Sequence, residues 1–246
     1  MKKIIVLLFF SFIIPLQSYA AIAYVNSARN LTPSTGTGYN VSYTVGSGSD
    51  RALVFTFLES LTITNVAYNG ANATLVKRKL DGFGNELGMW RLENPDSGTH
   101  NITITLSSSQ YVEMVVVEYS GVDQTNMEDM SMSGEVTGSP SSPLVLTGTV
   151  VTADSWLISV VRNAATPPMT ASTNVNAVRQ SGVTTQQSVG DTNGTIGTGS
   201  QSQTWTTAAG TKSFGIMMAI KPVSAIISTT NNGCHGEFHG ELHCQM

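Results

Sequence analysis

Tyr111-Val112-Glu113-Met114-Val115-Val116-Val117-Glu118-Tyr119 is the most apolar stretch beyond the N-terminus, and its reading decides the fold. A short unbroken run with three adjacent valines suits a strand covered on both faces. Working outward, Arg51 to Leu58 alternates, with Leu53, Phe55 and Phe57 on one side. Ile63 to Tyr68 follows and ends in Asn69-Gly70, a hairpin signal because both residues tolerate positive φ. Thr74–Leu80, Leu87–Leu92, Asn101–Leu106, Leu144–Val150, Trp156–Arg162, Val175–Gln180 and Ser213–Lys221 continue the pattern. Asn94-Pro95-Asp96-Ser97-Gly98 punctuates it. No segment shows the three-and-four apolar spacing of an amphipathic helix. The expected fold is therefore all-β: a single antiparallel β-sandwich of jelly-roll type with about eleven to thirteen strands. Residues 181–204, rich in Ser, Gly, Thr and Gln, read as a long surface loop or a weak edge hairpin.

The front of the chain assigns a compartment. Lys2-Lys3 precedes an apolar run from Ile4 to Ile14, Pro15 breaks it, and Ser18-Tyr19-Ala20 supplies small residues for cleavage. This is the pattern of a secretory signal peptide. The run is too short to cross a bilayer of ~30 Å as a helix. The organisation expected is residues 1–20 as signal, 21–222 as the sandwich domain, 223–233 as linker and 234–246 as a Cys/His/Glu tail. Loss of Lys2 and Lys3 shifts the formal net charge from −4 to −6. A mildly acidic body without a basic stripe excludes a nucleic-acid partner. No later apolar run approaches membrane-spanning length, so a secreted, extracellular or cell-surface location is expected, with the periplasm as an alternative.

Several segments carry a resemblance. They are Asn65-Val66-Ala67-Tyr68-Asn69-Gly70, Met89-Trp90-Arg91-Leu92-Glu93-Asn94-Pro95, Val117-Glu118-Tyr119-Ser120-Gly121-Val122-Asp123-Gln124-Thr125 and Phe214-Gly215-Ile216-Met217-Met218-Ala219-Ile220-Lys221-Pro222. Together they resemble an uncharacterised module of exported bacterial and phage proteins, with Tyr-Ser-Gly-Val-Asp as the most specific element. The resemblance implies a jelly-roll-like sandwich found in surface and fibre-like proteins. It implies no catalytic residues, and it ends at Pro222.

Chemistry in the body is sparse. His100 stands alone, and Glu113 and Glu118 share a strand at an odd spacing that puts them on opposite faces. Asp123, Glu128 and Asp129 could form a calcium site only if the chain gathered them, since hard cations take clustered oxygens; Asp123 equally suits closing the turn after Gly121. No acid, base and nucleophile converge, so the chain is not expected to be an enzyme. Trp90 and Trp156 lie in alternating strands and read as core. Trp205, in the polar run Gln203-Thr204-Trp205-Thr206-Thr207, reads as the more exposed tryptophan and as a sugar-stacking candidate.

The tail holds what chemistry remains. Cys234 and Cys244 bracket His235, Glu237, His239, Glu241 and His243, which share one parity in an extended chain. In an exported protein the two cysteines favour a disulfide, within the chain or between chains. A hairpin with Gly240 at the positive-φ position would set His235 against His243 and Glu237 against Glu241. A Zn²⁺ or Cu²⁺ ion held by these imidazoles and carboxylates would relieve the carboxylate repulsion. Protonation of the histidines would relieve it as well, and a plain solvated tail with a disulfide needs neither. The functional expectation is an exported structural or adhesive surface protein, a fibre subunit self-associating through sheet edges or terminal strands. The alternative is a carbohydrate-binding module engaging a surface glycan through Trp205, and the third reading is a glycan-active enzyme.

Overall fold

The computed structural model describes residues 21–31, 35–58, 63–80, 86–136, 143–163, 169–181, 187–206 and 212–224. The signal segment, most of the linker, and the tail with Cys234, His235, Glu237, His239, Glu241, His243 and Cys244 lie outside the described residues. Among the described residues there are strands and no helix. The first half of the body comprises β1 (Ala23–Leu31), β2 (Gly36–Val45), β3 (Ala52–Leu58), β4 (Ile63–Tyr68), β5 (Ala71–Asn72), β6 (Thr74–Leu80), β7 (Glu86–Glu93), β8 (Gly98–Gln110) and β9 (Glu113–Ser120). The second half comprises β10 (Glu128–Val136), β11 (Leu144–Val150), β12 (Trp156–Asn163), β13 (Thr170–Ala171), β14 (Ala177–Ser181), β15 (Gln187–Asp191), β16 (Gly199–Thr206) and β17 (Ser213–Ile220).

These strands form four antiparallel sheets. The first inner sheet runs β1-β9-β3-β7-β6 and the first outer sheet β2-β8-β4-β5. The second inner sheet runs β10-β17-β12-β15-β14 and the second outer sheet β11-β16-β13. Side-chain alternation stacks them, because successive residues of a strand face opposite ways. On β3, Leu53, Phe55 and Phe57 enter a core shared with the first outer sheet. Ala52, Val54 and Leu58 enter a middle core shared with the second inner sheet. β17 divides likewise: Phe214, Ile216, Met218 and Ile220 join the middle core, while Met217 and Ala219 face the second outer sheet. The two inner sheets are therefore covered on both faces, as the Met114–Val117 run requires. Every residue from Glu113 to Tyr119 is buried.

The two halves repeat one plan. Replacing β1, β9, β3, β7 and β6 by β10, β17, β12, β15 and β14 reproduces the inner order, and β2-β8-β4 maps onto β11-β16-β13. The irregularities coincide as well. A β-bulge breaks β1 between Tyr24 and Asn26 opposite Tyr119, and β10 between Glu128 and Met130 opposite Ile220. A second breaks β6 between Leu75 and Lys77, and β14 between Val178 and Gln180, on the matching positions Trp90 and Gly190. Two residues before β3 and β12 stand Asp50 and Asp154, both left-handed at φ 56° and 62°. Aspartate tolerates that conformation better than most residues. Bulges bend strands at fixed places, so their coincidence extends the repeat beyond strand order.

Three expectations need correction. The all-β, antiparallel, sandwich-like character holds, but seventeen strands in four stacked sheets among the described residues replace about eleven to thirteen in a single sandwich. The alternation is identical for either arrangement, and only contact between distant sheets separates them. The described part of residues 181–204 is not a surface loop: it contains β15, which is buried at all five positions and pairs with edge strand β14, and most of β16. Gln187-Ser188-Val189-Gly190-Asp191 is polar enough to read as a loop, yet two of its buried side chains meet partners from the other half. Gln187 donates to Thr56 Oγ1 at 2.6 Å, and Asp191 accepts from Tyr119 at 2.8 Å. The third correction concerns Trp205 and is described with the site.

Candidate functional site

Charge on the strands is segregated. None of β2, β4, β5, β8, β11, β13 and β16 contains Lys, Arg, Asp or Glu, so both outer sheets are uncharged. The charged residues sit on the inner sheets, and the buried carboxylates among them are paired. Arg29 donates to Glu113 through Nε at 2.8 Å, Arg51 to Glu118 at 2.5 Å, and Arg179 forks onto Asp191 at 2.7 and 2.8 Å. Arg78 faces Glu86 at 3.4 Å, and Arg91 bridges Glu93 and Glu128. A buried carboxylate needs such a partner. Tyr119 sits beside Asp191 in the middle core, where burial, then the Asp191 charge, raises its phenol well above its ordinary range. Burial and the neighbouring Glu118 raise Tyr43 in the same direction.

The first outer sheet presents a hydroxyl and amide face to solvent. Tyr43 and Val45 of β2 and Ile102, Ile104 and Leu106 of β8 turn inward. Parity therefore sends Asn40, Ser42 and Thr44 outward beside Thr103, Asn101 and Thr99, their registered partners. Thr103 donates to Asn40 at 2.9 Å, and the Thr44 and Thr99 hydroxyls meet at 2.7 Å. The Asn69-Gly70 turn flanks this face beside β8, with φ of 46° and 82° as the hairpin signal requires. Its backbone is fastened by Asn69 N–H to the Asn101 carbonyl at 3.1 Å, and its amide donates to Asp96 at 2.8 Å. Between turn and sheet lies a groove of about 400 Å³ lined by Ser42, Asn69, Gly70, Thr99, His100, Asn101 and Thr103. Among the described residues the second half has no counterpart of β5, and every residue lining the groove comes from the first half.

Trp205 is fully buried, and its indole N–H donates to Ser159 at 2.9 Å. The expectation of an exposed stacking platform is corrected. Gly190 explains why the ring fits inside. A Cβ there would lie 2.7 Å from Val175, 2.8 Å from the Ala177 carbonyl oxygen and 3.0 Å from the Trp205 ring. The ring occupies space that the equivalent Trp90 fills from the inner sheet of the first half. Trp90 and Trp156 are buried as expected. Asp123 closes its turn by accepting from Thr125 N–H at 2.8 Å and Asn126 N–H at 3.2 Å. Asp129 instead caps Val151 and Thr152, and Glu128 faces Arg91. The calcium set is thus dispersed, and among the described residues no group of three or more His, Cys, Asp or Glu could hold a metal. Among them also no helix is long and apolar enough to cross a membrane. No family model matches the chain, and neither a curated protein nor a solved structure does.

The groove residues were absent from the sequence-based candidates. Ser, Thr and Asn on alternating positions signal only a solvent face, and nothing local says that a turn will border it.

Proposed function

We propose that this protein is an exported, non-catalytic adhesive surface protein, built as a tandem pair of jelly rolls, that binds neutral glycans in the groove of its first outer sheet. The observation that carries the reading is a groove lined by Asn69-Gly70 and by outward residues of β2 and β8, on a sheet without a single Lys, Arg, Asp or Glu. Sugar hydroxyls donate and accept at once, and so do the Ser, Thr and Asn groups that line the site. The volume falls within the range of small-molecule sites. An uncharged lining favours neutral sugars over sialylated or sulfated ones, since a charged ligand would lose hydration with no ion to pair it. The strand orders β1-β9-β3-β7 over β2-β8-β4-β5 support the jelly-roll assignment. The non-catalytic reading rests on the pairing of buried carboxylates with arginines, which commits each to structure. Lys2-Lys3 and the apolar run behind them support export. A disulfide between Cys234 and Cys244 and Zn²⁺ binding by the tail are separate proposals, open to thiol counting and metal titration.

Calorimetry with neutral and acidic oligosaccharides tests the site. Binding to neutral members should fall at least tenfold in Asn101→Ala and in Thr103→Ala with unfolding temperature unchanged. Binding that survives both substitutions, or that prefers acidic glycans, sinks the reading.

A further inference from the structure

Eight strands lie at sheet edges, and seven are blunted. β5 and β13 have two residues each. β6 carries Lys77-Arg78-Lys79. β1 and β14 are bulged and pack on one another, Ser27 accepting from Gln180 at 3.0 Å. β10 is bulged and bears Glu128 and Asp129. β11 is uncharged but covered by β10: Met130 lies over Gly148, and Gly134 fits closely against Leu146. These are the devices by which proteins stop edge-to-edge pairing.

β2 lacks all of them but a bulge at its very start. Gly36–Val45 runs ten residues without charge or proline, and its single bulge, between Gly36 and Gly38, leaves eight residues regular. One side pairs with β8, and the other pairs with no strand among the described residues. Above that open side the first outer core has an unfinished rim, since Tyr39 and Val41 pack against it only partly buried.

We infer that β2 is a homodimer edge: two copies join β2 to β2 antiparallel about a two-fold axis at Val41. The strand is self-complementary in this register. Tyr39 falls opposite the second copy's Tyr43 on the core side, completing the rim with an aromatic cross-strand pair. Asn40 falls opposite Ser42 outside, and no charge meets another. A two-fold at Val41 stands perpendicular to the sheet, because pairing in matched parity keeps like faces together. The two first outer sheets become one eight-stranded sheet with both grooves on the same side. The avidity consequence rests on the glycan reading above; the dimer does not. Two weak sites on one face gain roughly 10²–10⁴-fold on a glycan-coated surface.

The experiment uses the chain with Cys234→Ser and Cys244→Ser, under reducing conditions, so that tail thiols cannot link copies. Sedimentation equilibrium is expected to give a concentration-dependent dimer. Asn40→Lys with Ser42→Lys sets lysine against lysine twice and should weaken the dimer roughly tenfold. Asn40→Lys with Ser42→Asp should restore it. Val41→Cys in the same background should cross-link on oxidation. A monomer at every concentration overturns the inference, and so does a dimer indifferent to the lysine pair or one that Val41→Cys fails to cross-link. Dimerisation without glycan retention would sink only the functional reading; glycan retention by a strict monomer would sink only the dimer.

Discussion

The two halves of the molecule, Ala23–Ser120 and Glu128–Ile220, lay equivalent strands in the same order and bulge their inner strands at the same places, yet fill the frame differently. In the first half a tryptophan reaches the outer core from the inner sheet, at Trp90 of β7. In the second the equivalent position is Gly190, and Trp205 reaches the same region from the outer sheet. The first half leaves its β2 edge open and flanks its outer face with the Asn69-Gly70 turn and β5. The second covers the equivalent edge with Met130, and among the described residues its turn at Thr173-Asn174, with Asn174 at φ 55°, is followed by no strand like β5. Backbone plan and side-chain solution are thus separable. Alternation and bulges set the plan, while each core needs only enough volume, supplied from either wall. The functional asymmetry follows: the groove and the free edge both belong to the first half.

The hardest test of this comparison is the exchanged tryptophan. Trp205→Ala should cost about 3–5 kcal/mol in urea unfolding, the range for deleting a large buried side chain. Gly190→Ala, which crowds backbone as well as ring, should cost about 1–3 kcal/mol. If Trp205→Ala is nearly neutral, the second outer core does not depend on that ring.

Asp191 and Arg91 occupy equivalent places and offer the next contrast. Asp191 is fully buried between Arg179 and Tyr119, so Asp191→Ala leaves a guanidinium without its partner and should cost on the order of 3 kcal/mol. Arg91 is partly exposed to solvent, and Arg91→Ala should cost about 1 kcal/mol or less. Equal costs in thermal or urea denaturation would show that the polar seam between the halves carries no special weight.

The smallest expected effect is a pH slope. The unfolded chain releases its phenolic protons near the ordinary value of 10.0, whereas burial keeps Tyr119 and Tyr43 protonated in the fold. Above pH 10 the folded state therefore binds more protons, and stability, intact below that pH, falls as pH rises. The slope should be about 1.4 kcal/mol per pH unit for each such phenol. Tyr119→Phe should remove one share of it in denaturant titrations between pH 9 and 11. An unchanged slope would mean that the Tyr119 phenol ionises as freely folded as unfolded.

Much of the strand pattern was legible. Ile63–Tyr68, Thr74–Leu80 and Leu144–Val150 fall where alternation places them, and Asn69-Gly70 turns as its chemistry demands. What escaped was β15, whose Gln187, Ser188 and Asp191 mimic a loop, and Trp205, whose polar neighbours mimic exposure. Both misled for one reason. A polar side chain is stable inside when a partner meets it, and Thr56, Tyr119 and Ser159 come from far along the chain. The groove escaped because its lining comes from β2, the Asn69-Gly70 turn and β8, segments far apart in the chain that share no local signal.

The residues in order determined that this chain makes strands, that the one around Val116 is covered on both faces, and where several of the turns fall, since period and turn chemistry are local properties. Only the tertiary structure decided that two such sets stack through a common middle core, that Trp205 goes inside opposite Gly190, and that β2 is left unpaired. Those outcomes depend on which groups distant in sequence come face to face, and a pattern with a period of two is the same whichever partner covers it.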